Sequence, residues 1–192
     1  MKRLAVFCAS SEGRNPRIKA AAEQLGRLLV SRGITLVYGG ASRGIMRVIA
    51  DEVLKNGGRV IGVIPRFLVD VEIAHRGLNE LIVTESMHER KLKMFELSDA
   101  FAALPGGIGT LEELFEIATW AQLNLHKKPM AVLNTDSYYR YLFKQLDHMV
   151  AEGLLKSFMR EELKVATGPE ELLKILETHE AGNGNFLKES LV

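Results

Sequence analysis

The sequence predicts one α/β domain of the Rossmann-like, doubly wound kind, a parallel sheet flanked by helices on both faces. Short β-branched apolar runs recur along the chain, helical periodicity fills the intervals between them, and small or hydroxylated residues follow several runs directly. Continuous apolar strands between helices are the mark of a parallel sheet buried on both faces. In such sheets ligands sit beyond the carboxyl ends of the strands. A length of 192 residues suits one domain, since a domain takes roughly 150 residues.

The runs fall at residues 4–8, 35–38, 59–64, 81–84, 100–104 and 130–133, with a short last strand expected near 163–166 and a closing helix over 169–178. Asn15-Pro16 supplies a cap and first turn for the first helix, and Gly33 its stop. Residues 65–80 lack a clear period and are long for a loop, so they form either a short helix or a segment covering a site. The domain is therefore placed at residues 1–180. Residues 181–192 combine Gly, Asn and charge without periodicity and are expected to form a flexible tail.

Composition excludes several classes. Lys+Arg 25 against Asp+Glu 24 leaves a net charge of +1, so there is no basic field to hold nucleic acid, and any bound nucleotide is expected to be small. No stretch approaches the ~18 apolar residues of a membrane span. The single cysteine, Cys8, excludes an intramolecular disulfide, and Lys2-Arg3 leads into a short strand rather than a signal-peptide core. A reducing cytoplasm is the expected location. The scattered histidines have no metal-ligand spacing, and no metal or cofactor is expected.

The most informative strand end is Pro105-Gly106-Gly107-Ile108-Gly109-Thr110. Its glycines let the backbone approach an anion, and Thr110 opens a helix whose first amides point at it. No Gly-Lys-Ser/Thr follows, and Glu112 stands where a dinucleotide fingerprint needs its third glycine. A plain glycine-rich turn is the competing reading. On a wheel of ~100° per residue, Leu111, Leu114, Ile117, Ala118 and Ala121 form the apolar stripe of that helix. Glu113 falls at the stripe's edge with Glu116 one step further round, while Glu112 lies on the solvated side.

The helix beginning near Met87 places Arg90 between Met94 and Leu97, and Lys91 between Met87 and Phe95. Cations on an apolar face are costly unless a carboxylate or a bound phosphate answers them, although a long lysine stem can also snorkel. Gly39-Gly40 with Gly44 reads as a second close-approach turn, and Ser10-Ser11 as hydroxyl donors after the first strand. Cys8 reads as a small buried strand residue rather than a nucleophile.

Met87-His88-Glu89-Arg90-Lys91, followed by Pro105-Gly106-Gly107-Ile108-Gly109-Thr110-Leu111-Glu112-Glu113, resembles the paired signature of the Lonely Guy family of cytokinin riboside 5'-monophosphate phosphoribohydrolases. Cys8-Ala9-Ser10-Ser11, Tyr38-Gly39-Gly40, Gly44-Ile45-Met46 and Gly62-Val63-Ile64-Pro65 are similar to the family's pattern in the same order. The resemblance implies a dimeric, Rossmann-like enzyme acting on AMP and N6-prenylated AMP. It also implies catalytic roles for Arg90 and Glu113, with Gly107, Gly109 and Thr110 in the phosphate loop. Ser10, Gly39, Gly40, Met87, Lys91, Gly106 and Glu116 are the remaining candidate substrate contacts. Two positions depart from the pattern: Ala41 replaces a third glycine and Arg47 a glycine after the methionine.

Cleaving a purine N-glycosidic bond builds positive charge at C1', which a nearby carboxylate stabilises; Glu113 is the candidate. Arg90 stays protonated at neutral pH, so its expected role is electrostatic and positional. The alternative is a non-catalytic nucleotide- or cofactor-binding carrier on the same fold. A homodimer is expected because Phe115 and Trp120 widen the stripe of the Thr110 helix beyond what one sheet face needs.

Overall fold

Every strand expected from the apolar runs forms in the computed structural model, which describes residues 1–69, 71 and 74–179. The elements are β1 (Arg3–Phe7), α1 (Pro16–Ser31), β2 (Thr35–Tyr38), α2 (Gly44–Lys55), β3 (Val60–Pro65), β4 (Glu80–Thr84), α3 (Met87–Leu97) and β5 (Ala100–Ala103). They continue with α4 (Ile108–Gln122), β6 (Met130–Leu133), α5 (Arg140–Ala151), α6 (Ser157–Glu162), β7 (Lys164–Ala166) and α7 (Pro169–Glu177). The expected tail lies outside the described residues.

The strands form one sheet in the order β4-β3-β2-β1-β5-β6-β7, and each neighbouring pair is parallel. Parallel neighbours require crossovers, and α-helices supply them except between β3 and β4, where the described part of the connection carries only the 3₁₀ turn Arg66–Leu68. Alternate residues of one strand serve opposite cores: Leu4 and Val6 face the layer with α1, α2 and α7, while Ala5 and Phe7 face the layer with α3, α4 and α5. Both faces are apolar, which is why the strands read as continuous runs rather than alternations. The order reverses between β1 and β5, so the crevice beyond their carboxyl ends is the switch point where this architecture binds ligands.

Local chemistry sets the helix boundaries. The Asn15 side chain accepts the Arg17 amide at 3.0 Å ahead of Pro16, and Gly33 takes φ +65 just beyond the helix. At the start of α3, Ser86 Oγ accepts the Glu89 amide at 3.1 Å while Glu89 accepts that of Glu85 at 2.7 Å. This reciprocal arrangement of the capping-box kind fixes where α3 begins.

Of the two readings of residues 65–80, the short helical turn is present, and the described remainder packs beside the sheet edge rather than lining the cavity described below. A 3₁₀ turn spans Arg66–Leu68, and the described end of the segment lies across the β2–α2 turn. There Ala74 bridges Ala41, the His75 amide donates to the Gly40 carbonyl at 2.9 Å, and the His75 ring meets Asp51 at 2.8 Å. Among the described residues no helix is long and apolar enough to cross a membrane.

Candidate functional site

At the β1/β5 switch point lies a cavity of about 230 Å³. Its walls are the segment after β1 (Cys8, Ala9, Ser10), the start of α4 (Gly107 to Thr110, with Glu112 and Glu113), Met46 of α2, and Met87 with Arg90 of α3.

The glycines of the loop do different work. A Cβ on Gly106 would sit 2.1 Å from Thr110 Oγ1, so the tight strand-to-helix turn admits no side chain there. A Cβ on Gly107 or Gly109 would meet no protein atom within 4 Å. The space in front of these two is open toward the cavity, as close approach of a ligand needs. Gly107 caps α4 without a side-chain hydrogen bond, which leaves the first-turn amides to whatever occupies the cavity.

Arg90 is buried at 5% exposure, as its place on the apolar wheel required. One guanidinium nitrogen donates to the Gly39 carbonyl at 3.4 Å, another approaches Met87 Sδ at 3.7 Å, and Glu113 lies 3.8 Å away. Its Nε finds no hydrogen-bond partner among the described residues. Each contact is long for a buried cation. Gly39 is explained by the same side chain, because a Cβ there would lie 2.2 Å from Arg90 Nη2. It shapes the seat of the arginine rather than the cavity wall.

Lys91 has a different environment. Its ammonium donates to Glu112 at 2.5 Å and pairs with Glu116 at 2.9 Å, tying α3 to α4. Burial works against its charge, but the hydrogen bonds to Glu112 and Glu116 outweigh that and hold its pKa above the usual lysine value. Lys91 and Glu116 thus answer each other behind the cavity instead of lining it. Glu112, expected on the solvated side, is about half exposed yet reaches the cavity wall as the partner of Lys91.

Of the other sequence-derived candidates, Ser10 and Met87 line the cavity. Gly40 (φ +76) backs against Val63 and Ile64. Gly44 is a true close-approach glycine, since a Cβ there would fall 2.3 Å from the Ser11 amide nitrogen. The departures from the family pattern are absorbed locally. Ala41 is fully buried in the core, and Arg47 turns to Glu12 at 2.9 Å. Cys8 lies on the cavity wall, where burial first, and the Glu113 charge second, push its thiol far above the ordinary range. It stays protonated and is no nucleophile.

Met46 and Ile108 were missed as wall residues because both read as ordinary apolar positions. The signal lay in the motifs, since Met46 falls in Gly44-Ile45-Met46, which is similar to the family's pattern, and Ile108 within the glycine loop. Ile108 is 88% exposed on the rim, where a core reading would not place it. Phe115 and Trp120 pack within the chain, Trp120 edge-on to Phe95 at 5.2 Å. The wide stripe of α4 is therefore filled internally and does not by itself require a partner.

A glycine loop at a helix start and a buried, loosely partnered arginine beside a carboxylate meet at the switch point of a parallel α/β sheet, the place where this class of fold binds ligands. The family model described as "possible lysine decarboxylase" matches residues 46–176. The chain is 44% identical to cytokinin riboside 5'-monophosphate phosphoribohydrolase LOG5 of Arabidopsis thaliana, over 98% of this chain and 83% of that protein. It is 48% identical to the probable cytokinin riboside 5'-monophosphate phosphoribohydrolase LOGL1 of Oryza sativa subsp. japonica, over 92% and 79% respectively. The chain belongs to this family, the Lonely Guy phosphoribohydrolases. Among solved structures it is similar to the molybdenum cofactor binding protein of Rippkaea orientalis, with TM-score 0.66 and 23% identity over 93% of this chain and 97% of that one. It is also similar to the Moco carrier protein of Chlamydomonas reinhardtii, with TM-score 0.65 and 20% identity over 98% of both chains. Likeness at that identity shows a shared fold and nothing about activity.

Proposed function

We propose that this protein hydrolyses the N-glycosidic bond of adenosine 5'-monophosphate and its N6-substituted forms, releasing the free adenine-type base and ribose 5-phosphate. The observation that carries the reading is the buried Arg90 guanidinium, 3.8 Å from Glu113 and weakly partnered, on the wall of a cavity opposite a glycine loop. The 5'-phosphate is held by the amides of Gly107, Gly109 and Thr110 at the start of α4, with the helix dipole adding to the attraction. The ribose then lies toward Glu113, whose carboxylate opposes the positive charge growing at C1' and orients the attacking water. Arg90 holds Glu113 and the sugar in place, an electrostatic and positional role. Ser10 and Met87 contact the nucleotide from the facing walls, while Lys91 and Glu116 keep α3 and α4 in register.

Close relatives named as phosphoribohydrolases favour this reading over a carrier on the same fold. Free adenine released from AMP tests it directly, with adenosine as the control. Because binding runs through the phosphate, adenosine is turned over far more slowly than AMP. Equal turnover of the two removes the glycine loop from the mechanism.

The protein acts as a homodimer in the cytoplasm. The family resemblance supports the dimer, as do Leu123 and Leu125, which remain 54% and 65% exposed beyond the end of α4. A monomer by light scattering at micromolar concentration overturns it. The cytoplasmic placement rests on the single, buried, protonated Cys8.

A further inference from the structure

Between β6 and α5 the backbone makes a turn that L residues disfavour. Asp136 (φ 56) and Ser137 (φ 58) are consecutive non-glycine residues in the left-handed region, a conformation that persists only where the surroundings impose it. The restraints are visible. The Asp136 carboxylate accepts from Asn15 Nδ2 at 2.8 Å and pairs with Arg17 at the start of α1. On the other side of the turn, Asn134 Oδ1 accepts the Tyr139 amide at 2.8 Å.

This turn aims one tyrosine at the glycine loop and the next at the residue that leads into it. Tyr138 donates its hydroxyl to the Gly106 carbonyl and Tyr139 donates its own to the Leu104 carbonyl, each at 2.7 Å. The rings meet edge to face at 4.8 Å, so each limits the freedom of the other. Tyr139 is buried, and that burial pushes its phenol upward in pKa and keeps it a proton donor. Tyr138 stands on the far side of the loop from the nucleotide cavity, lining a separate hollow of about 180 Å³ with Pro105, Gly106 and Gly107.

The consequence follows from the planar peptide. The Gly106 carbonyl and the Gly107 amide belong to one peptide unit and point in opposite directions. A glycine pair has little intrinsic preference for either orientation of that unit. With the carbonyl drawn to Tyr138, the Gly107 N–H is turned away from Tyr138, and Gly107 itself forms part of the nucleotide cavity's wall.

We propose that Tyr138 and Tyr139 are positioning residues: they clamp the carbonyl side of the glycine loop so that its amide side is preset for the 5'-phosphate. This rests on the reading that the cavity holds a nucleotide phosphate. Neither tyrosine touches the reacting atoms.

The test compares the parent protein with Tyr138→Phe, Tyr139→Phe and the double variant. Affinity for ribose 5-phosphate is measured by calorimetry, and kcat and KM are measured for AMP and for adenosine. Loss of one net hydrogen bond from the bound-ready loop weakens ribose 5-phosphate binding and raises KM for AMP by about fivefold. The double variant loses more than either single one, kcat for AMP changes less than twofold, and the slow turnover of adenosine is unchanged. A merely structural role would instead lower the melting temperature and depress both substrates together. Tyr138 is about half exposed, so Tyr138→Phe folds even if the variants at buried Tyr139 do not. Unchanged ribose 5-phosphate affinity in folded Tyr138→Phe, or AMP and adenosine falling in parallel, overturns the clamp. A parent protein that neither binds ribose 5-phosphate nor releases adenine removes the nucleotide reading itself, and the clamp with it.

Discussion

Arg90 and Lys91 are neighbours on α3, face the same helix α4, and are buried to nearly the same degree, with side chains 7% and 9% exposed. Their partners differ sharply. Lys91 meets two carboxylates at 2.5 and 2.9 Å, whereas Arg90 has one carboxylate at 3.8 Å and a carbonyl at 3.4 Å. Burying a charge without close partners is expensive, so a fold that answers one cation fully and its neighbour loosely has left the second for something else. The Lys91 cluster is a brace between helices. On the proposed function, the remaining hydrogen bonds of Arg90 go to the substrate.

On that distinction, substitutions on the Arg90 side change chemistry and those on the Lys91 side change stability. The largest effect is expected from Glu113→Gln. Size and helix propensity are preserved, and removing a negative charge near a bound phosphate does not weaken binding. Adenine release falls ~100-fold or more, as for loss of one preorganised electrostatic partner, with AMP affinity nearly intact. If affinity drops as far as rate, Glu113 acts in the ground state by holding the ribose.

Next comes Arg90→Lys, which keeps the charge but loses the planar fork seated against Gly39. About a tenfold fall in kcat/KM for AMP is expected. Full activity in this variant would mean that any cation suffices, and the contrast with Lys91 would lose its meaning.

Lys91→Met is expected to lower the melting temperature while changing kcat/KM by less than about threefold. It strands Glu112 and Glu116, but both retain solvent contact, so the cost is of order 1 kcal/mol. A loss of rate matching that of Arg90→Lys would place Lys91 on the substrate after all.

How far this contrast could be read from the chain depends on distance along it. Arg90 and Lys91 were legible because helical periodicity puts both on the apolar face of an 11-residue helix, and the glycine loop because its residues are contiguous. Which cation is braced was not legible, since that depends on the rotation of α4 against α3, and the wheel of α4 alone leaves Glu112, Glu113 and Glu116 without assigned partners. Tyr138 and Tyr139 were invisible for the same reason, reaching the loop across 32 and 35 residues. Even β7, a strand of three residues, was legible, because strand and helix patterns are local.

The smallest expected effect concerns His126, the anchor of the helix that both ion pairs share. Its Nε2 bonds the Ile117 carbonyl of α4 at 2.9 Å, and its Nδ1 accepts the Lys128 amide at 3.1 Å. With both ring nitrogens so used, the neutral tautomer fits and the imidazolium does not, because Nδ1 would lose its acceptor. Phe95 and Phe101 crowd the ring at 5.3 and 5.9 Å. Burial is the main cause of a pKa held below 6.5; the bond to Ile117 pulls upward, and the Lys128 charge pushes further down. A base with a lowered folded pKa binds fewer protons folded than unfolded, so its cost is absent above the unfolded value and grows as pH falls toward the folded one. Asp99 and Glu171, carboxylates with lowered pKa, lose their contribution only as pH falls through the carboxylate range. Between pH 6.5 and 5, then, the denaturation midpoint falls mildly in the parent protein. The fall is smaller in His126→Gln, which can still donate to the Ile117 carbonyl but cannot titrate. Identical slopes in the two proteins would show that α4 is not held through this ring.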